Sequence, residues 1–202
     1  MNKIQIIVNN GAGTGSAVAV WKETKEYLQE NEISYNAYLT RYEKHAVKLA
    51  GQICGKIPEG PIYLLVVGGD GTINEVLNGI TDFDRVRLGV IPTGSGNDFA
   101  RNLGILRNTR EDLQEITACI GQEQNGEKLQ RIDLGKVSWE GCEKPRIFGI
   151  SAGAGLDAIV CKKALHSKLK KILNRFHLGK LTYLMLTVQT LFSMRTFQAN
   201  VT

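Results

Sequence analysis

Apolar residues fall into short continuous runs separated by glycine-rich loops and by longer stretches of helical periodicity. Ile4 to Val8 is the first run, ended by Asn9-Asn10-Gly11, and reads as a buried strand meeting a loop. Ala17 to Glu30 contains no Gly or Pro and predicts a helix, and Ile33 to Leu39 predicts a second strand. Lys44 to Ile57 returns to helical spacing around Val47, Leu49, Ala50 and Ile53. After the turn Pro58-Glu59-Gly60-Pro61, Ile62 to Val67 is apolar at every position, as parallel strands covered on both faces are. Gly68-Gly69-Asp70-Gly71-Thr72 follows, then a helix from Ile73 to about Asn78. Leu88 to Ile91 is another buried strand, closed by Pro92 and a Gly-Ser-Gly loop; one helix begins near Asn97 and the next runs from Thr109 to Ile120.

Strands alternating with helices predict an α/β domain built on an open, mostly parallel sheet, over residues 1–125. After Gly121 to Gly126 the grammar changes. Gln130 to Trp139 and Arg146 to Ile150 look like paired strands, so a second domain is expected over residues 126–202. From Lys163 onward the spacing is helical again. Leu165, Leu169, Ile172, Leu173 and Phe176 share one face, and Leu181, Leu184, Met185, Val188, Leu191 and Phe192 share another.

The 202 residues, 43% apolar, suffice for a substantial core, and the 22 glycines follow no period, which excludes a disordered, collagenous or coiled-coil chain. The uncharged stretch Leu181 to Met194 is too short to cross a bilayer. No apolar segment with a cleavage site follows Met1, so no signal peptide is expected. Cys54, Cys119, Cys142 and Cys161 form no C-x-x-C pair and read as free thiols in a reducing cytoplasm. Charge changes the picture more. Residues 1–157 carry 17 basic and 20 acidic side chains, whereas residues 158–202 carry 8 basic and none acidic. The second stretch is where a polyanionic surface would be met.

In open α/β sheets ligands bind at the carboxyl ends of strands, and three predicted strand ends carry glycine-rich loops: Asn9 to Ser16, Gly68 to Thr72 and Gly94 to Asn97. Glycine lets backbone N–H groups approach an anion, and a following helix N-terminus adds favourable potential, so a phosphate ligand is implied. Neither a G-x-x-x-x-G-K-[ST] loop nor a G-x-G-x-x-G fingerprint is present. Asp70, inside the central glycine loop, is electrostatically adverse to phosphate unless a cation stands between them. Mg²⁺ with a nucleotide meets that condition, with Asp98 as a second candidate carboxylate. Thr72 and Glu75 have the spacing of a helix capping box, which by itself would account for both.

Gly68-Gly69-Asp70-Gly71-Thr72-Ile73-Asn74-Glu75, followed by Pro92-Thr93-Gly94-Ser95-Gly96-Asn97-Asp98-Phe99-Ala100-Arg101, resembles the diacylglycerol kinase catalytic family, which includes bacterial lipid kinases and sphingosine kinases. The first element alone is shared with NAD kinases and phosphofructokinases; the two together are specific. The resemblance extends to Thr40 with His45-Ala46, to Ile132 to Gly135 and to Gly155 to Ala158. It implies an NAD kinase-like nucleotide-binding domain followed by a β-sandwich, here incomplete, with C-terminal helices. It further implies Mg·ATP-dependent phosphorylation of a membrane lipid hydroxyl such as that of diacylglycerol, on an anionic lipid surface and not on a nucleic acid. By position, Asn9, Gly11 and Gly13 match the family's first phosphate loop, Thr40 a contact after the second strand, Gly69, Asp70, Gly71, Thr72 and Glu75 the central motif, and Ser95 the hydroxyl after Pro-x-Gly. Asp70, Asp98 and Asp133 match three aspartates linked through metal and water, Asp70 and Asp98 being the catalytic pair.

The chain departs from the family pattern in two places. Its first loop reads Asn9-Asn10 where Asn-Pro is usual, with Thr14 and Ser16 where basic residues are common. Family members also continue past this length into a segment carrying the acidic general base, and no acidic residue follows Asp157 here. The base is therefore expected outside these residues, and an open sheet edge would invite dimerisation. A nucleotide-binding protein without turnover and an NAD kinase are the alternative readings.

Overall fold

The computed structural model describes residues 3–11, 16–94, 96–105, 108–126, 129–166 and 187–192. The chain forms two compact units, residues 1–150 and residues 151–202. In the first, the elements run β1 (Ile4–Val8), α1 (Ser16–Glu30), β2 (Tyr35–Leu39), α2 (His45–Lys56), β3 (Ile62–Gly68), α3 (Asp70–Leu77), β4 (Val86–Pro92), α4 (Asp98–Asn102), α5 (Thr109–Gln124), β5 (Gly135–Val137) and β6 (Arg146–Phe148). The first four strands make one sheet in the order β2-β1-β3-β4, every pair parallel. The expected α/β fold with a parallel sheet is therefore observed.

Strand periodicity sorts the core into two layers. Ile4, Ile6 and Val8 of β1, with Tyr63, Leu65 and Val67 of β3, meet Trp21, Tyr27 and Leu28 of α1 and Leu113 and Ile120 of α5. The intervening residues Ile7, Ile62, Leu64 and Val66 meet Ala46, Leu49, Ala50 and Ile53 of α2, Ile73, Val76 and Leu77 of α3, and Phe99 of α4. Each fully buried aliphatic or aromatic side chain contributes roughly 1.5–3 kcal/mol relative to exposure, which holds the helices on both faces. Gln5 is buried among them at 5% exposure because its side chain is satisfied: Oε1 accepts from Asn36 Nδ2 at 3.2 Å and from Tyr38 Oη at 3.1 Å, and Nε2 donates to Lys3 O at 3.0 Å.

β4 begins at Val86, earlier than the apolar run from Leu88 predicts. Arg87 enters the strand because its guanidinium is paired with Glu123 of α5 and donates to Asp84 O at 2.7 Å. Tyr63, its register partner on β3, has its phenol pushed above the ordinary range by burial and by the Glu123 carboxylate.

The paired strands expected after residue 126 form an antiparallel pair, β5 with β6, but shorter than Gln130 to Trp139 and Arg146 to Ile150. An asparagine side chain does part of the work of a neighbouring strand: Asn78 Nδ2 donates to Ile147 O at 2.8 Å and Asn78 Oδ1 accepts from Ile147 N at 3.0 Å. Asn74 Nδ2 adds a bond to the same carbonyl at 3.3 Å. β6 is thereby tied to α3, and the compact unit runs to Ile150; residue 125 marks the end of the last helix that covers the parallel sheet.

In the second unit, α6 (Leu156–His166) starts earlier than the helical spacing from Lys163 predicts. Residues 187–192 are also helical, and Lys163 Nζ donates to the buried Thr190 hydroxyl at 3.1 Å. Val188, Leu191 and Phe192 of the predicted apolar faces are exposed, while Leu169 to Met185 lie outside the described residues. Among the described residues no helix is long and apolar enough to cross a membrane.

Candidate active site

Connections leave β1 toward β2 on one side and β3 toward β4 on the other, so the order reverses between β1 and β3. Ligands of open α/β sheets bind at the carboxyl ends of the strands beside such a reversal. Here that edge holds Asn9 to Gly11 after β1, Gly69 to Thr72 after β3 and Thr93, Gly94, Gly96 and Asn97 after β4, so the described parts of the three glycine loops predicted as phosphate sites share one edge of the sheet. Asn9 N donates to Val67 O at 2.9 Å and Thr93 N to Gly68 O at 3.1 Å, which continues the ladder into the loops. Across the reversal, Asn9 Nδ2 donates to Thr72 Oγ1 at 2.9 Å, and Asn9 Oδ1 accepts from Gly11 N at 3.1 Å. Gly13 and Ser95 lie outside the described residues.

The capping box expected of Thr72 and Glu75 does not form. α3 starts at Asp70 with Gly69 as its cap residue and no side-chain cap, and Thr72 sits inside the first turn with its hydroxyl turned to Asn9. Glu75 instead caps the neighbouring helix: its carboxylate accepts from Lys44 N at 2.9 Å and from Ala46 N at 3.2 Å, at the N-terminus of α2. Those N–H groups have no intrahelical partner, and a carboxylate there also meets the positive end of the helix dipole. The spacing that suggests a local cap serves a tertiary one. Replacing Glu75 with Ala is expected to lower stability by about 1–2 kcal/mol, with Gln recovering part of the loss, read from urea unfolding midpoints.

Glu75 also fixes the segment after β2 that carries Thr40. Thr40 N donates to Val8 O at 2.9 Å, placing Thr40 beside β1 at the same edge. On this segment Tyr42, 58% exposed, stacks on His45 with ring centroids 4.3 Å apart, and His45 Nδ1 accepts from Arg41 N at 3.1 Å. The stack escapes sequence reasoning because the i, i+3 pair straddles the helix start, where Lys44 adopts φ 65°.

The aspartates divide. Asp70 Oδ1 accepts from Phe99 N at 3.2 Å, which links α3 to α4. A Cβ on Gly96 would lie 3.1 Å from Asp70 Oδ2 and 3.7 Å from Asp98 Oδ2, so both carboxylates flank one glycine. Asp98 is exposed and paired with Arg101, whose Nη2 also donates to Gly96 O at 2.8 Å. Asp133 is exposed in the segment before β5, and among the described residues no three acidic, His or Cys side chains gather into a metal-binding group.

The glycines of the central and third loops have different reasons for being glycine. Gly68 has no room for a side chain, since a Cβ would sit 2.7 Å from Thr72 Cβ. Gly69 and Gly94 let two backbones touch: a Cβ on Gly94 would be 3.0 Å from Gly69 Cα and 2.9 Å from Asn97 Oδ1. Asn97, at φ 55°, holds that loop by accepting from Gly94 N at 2.9 Å and donating to Gly94 O at 2.8 Å. Gly71 has no such reason. A Cβ there would meet nothing within 4 Å, its φ is not positive, and it sits in the first turn of a helix where Gly is less favourable than Ala by roughly 0.5–1 kcal/mol.

A family model for the diacylglycerol kinase catalytic domain matches residues 3–137. A Bacillus subtilis protein named "Putative lipid kinase YtlR" is 31% identical over 180 residues, which cover 88% of this chain and 55% of that protein. A Bacillus subtilis diacylglycerol kinase is 35% identical over 156 residues, 75% of this chain and 45% of its own. The chain thus spans about half the length of these curated relatives. A crystal structure of a diacylglycerol kinase from Bacillus anthracis is 31% identical, superposes with a TM-score of 0.49, and covers 57% of this chain and 39% of that one.

Proposed function

The chain belongs to the diacylglycerol kinase catalytic-domain family, and on that premise we propose that it binds Mg·ATP at the carboxyl edge of its parallel sheet and serves transfer of the γ-phosphoryl group to the hydroxyl of a membrane lipid of the diacylglycerol type. The observation that carries this reading is the convergence of Asn9, Gly69 to Thr72 and Thr93-Gly94 at the carboxyl edge beside the strand reversal, with the Asp70 and Asp98 carboxylates both flanking Gly96. Gly71, which like Gly55 has no packing or conformational need to be glycine, differs from it in standing in the first turn of α3 at that edge, where a ligand can approach. The Pro92 to Arg101 element favours a lipid acceptor over NAD.

The donor set suits Mg²⁺. Asp70 and Asp98 beside Gly96 offer carboxylate oxygens, and Mg²⁺ takes one or two of these while keeping waters and phosphate oxygens. When bound, the ion supplies positive charge against the phosphate oxygens. The chain's own residues do the positioning. The first turn of α3 presents N–H groups and dipole to the phosphates, Asn9 locks β1 to Thr72, and Glu75 holds the Thr40 segment in place. Phosphoryl transfer depends mostly on such placement and on charge stabilisation. The stretch after residue 157, with 8 basic and no acidic residues, would meet an anionic lipid surface.

The test is transfer of labelled γ-phosphate from ATP to mixed micelles of diacylglycerol and sphingosine, with and without Mg²⁺. Magnesium-dependent label in either lipid is expected, and which lipid takes it names the acceptor. Label passing to NAD or a sugar instead would overturn the reading; ATP binding with no label in any acceptor would leave a nucleotide-binding protein. A second check uses Gly71→Ala. Helix propensity predicts equal or higher stability by about 0.5–1 kcal/mol, while the intruding methyl is expected to weaken Mg·ATP about tenfold, or about 1.4 kcal/mol, in a titration.

A further inference from the structure

Buried polar atoms in folded chains are nearly always hydrogen-bonded, so one left without a protein partner calls for a reason, either an ordered water or a ligand. Among the described residues the buried side-chain oxygens in this condition are Asn10 Oδ1, Thr93 Oγ1 and Glu123 Oε2. Glu123 belongs to the Arg87 pair on α5. The other two stand at the carboxyl edge of the sheet, Asn10 after β1 and Thr93 after β4, flanking the end of β3 where Gly68 and Gly69 turn into α3.

Thr93 is the sharper case. The residue is 5% exposed, and its backbone is fully engaged: its N–H donates to Gly68 O at 3.1 Å and its carbonyl accepts from Ser16 Oγ at 3.3 Å. Its hydroxyl alone has no partner. Valine has the same shape and would fill this position without an orphaned oxygen, so packing does not explain the threonine. The adjacent Gly94 touches Gly69 through their backbones, which sets Thr93 beside the loop proposed to cradle phosphate. On the α1 side the contact is the long bond from Ser16, at the weak end for O–H···O and open to displacement by a charged acceptor.

We propose that Thr93 is a further ligand-contacting residue of this site, its hydroxyl donating to a phosphate oxygen of bound Mg·ATP. The inference rests on the nucleotide-binding reading above and adds to it a residue outside the central glycine motif.

The test compares the whole chain with Thr93→Val and Thr93→Ser by calorimetric titration with Mg·ATP, by urea unfolding and by the ³¹P spectrum of bound ATP. Thr93→Val is expected to weaken Mg·ATP about tenfold, leave the urea midpoint unchanged or raised, and move one phosphate resonance; Thr93→Ser is expected to bind as the parent does. Unchanged affinity in Thr93→Val, with the parent chain binding normally, overturns this proposal alone. A lowered urea midpoint in Thr93→Val also overturns it, since the hydroxyl would then support the fold through an ordered water. Loss of affinity with every phosphate resonance unmoved places the contact elsewhere on the nucleotide and overturns the phosphate assignment. Failure of the parent chain to bind Mg·ATP removes the nucleotide reading itself.

Discussion

Under the proposed function, Asp70→Asn is expected to lower lipid phosphorylation by about 10²–10³-fold while the protein remains folded. The substitution keeps the shape and keeps an oxygen able to accept from Phe99 N, the 3.2 Å bond that links α3 to α4. What it removes is the negative charge facing Gly96, on the side shared with Asp98. A carboxylate among the glycines of the proposed phosphate site would repel the ligand unless a cation stood between, so losing the charge would weaken the hold on Mg²⁺ and the charge stabilisation the ion would supply. The stability cost is set by the first-turn position of the carboxylate on α3 and amounts to about 0.3–1 kcal/mol. Initial rates across a Mg²⁺ series check both parts: the mutant should need more Mg²⁺ and still reach a lower ceiling. Equal rates for parent and mutant at saturating Mg²⁺ would show that Asp70 serves only to tie α3 to α4.

Gly79→Ala is expected to be strongly destabilising, at about 3 kcal/mol. The added Cβ would lie 2.2 Å from Val47 O and 2.9 Å from Ala50 Cβ, both on α2. The first of these is a backbone carbonyl inside a helix, which has no rotamer to change, so α2 and the end of α3 must separate. Their separation opens the layer formed by Ala46, Leu49, Ala50, Ile73, Val76 and Leu77. It also strains Glu75, which spans the same two helices. Gly55→Ala is the control. It lies within α2, its Cβ would meet nothing within 4 Å, and the change is expected to stabilise by roughly 0.5–1 kcal/mol. Urea unfolding separates the two cases: opposite shifts in midpoint at an unchanged slope. A midpoint for Gly79→Ala close to the parent's would mean that α2 and α3 are not packed as described.

Much of the parallel sheet was legible in the chain because fully buried strands need apolar residues on both faces. Ile62 to Val67 and Ile4 to Val8 announce themselves in that way. The edge strands speak more weakly. β2 is largely exposed, and β4 admits Arg87 only because Glu123, from a helix that follows it in sequence, supplies the opposite charge. Helix α6 begins before its apolar spacing shows.

The site divides in the same manner. Glycine-rich loops at strand ends, and an aspartate among them, are local patterns, and they mark Gly68 to Thr72 and Gly94 to Asn97 without any knowledge of the fold. Long-range partners leave no local pattern. Glu75 has the spacing of a cap for its own helix and caps another. Asn78 reads as an ordinary helix end and holds β6. Thr93 is one residue in a loop until burial leaves its hydroxyl alone.

By itself the amino-acid order marked most of the strands and helices, where the glycine-rich loops stand, and the family to which the chain belongs. Those properties depend on residues near one another in sequence, through backbone freedom, side-chain periodicity and motif spacing. The strand order β2-β1-β3-β4, the meeting of three loops at one edge, and the partners of Glu75, Asn78, Asp70 and Thr93 were decided by the tertiary structure. Each depends on which atoms packing brings within about 3 Å, and hydrogen bonds at that range discriminate between partners that sequence spacing leaves equivalent.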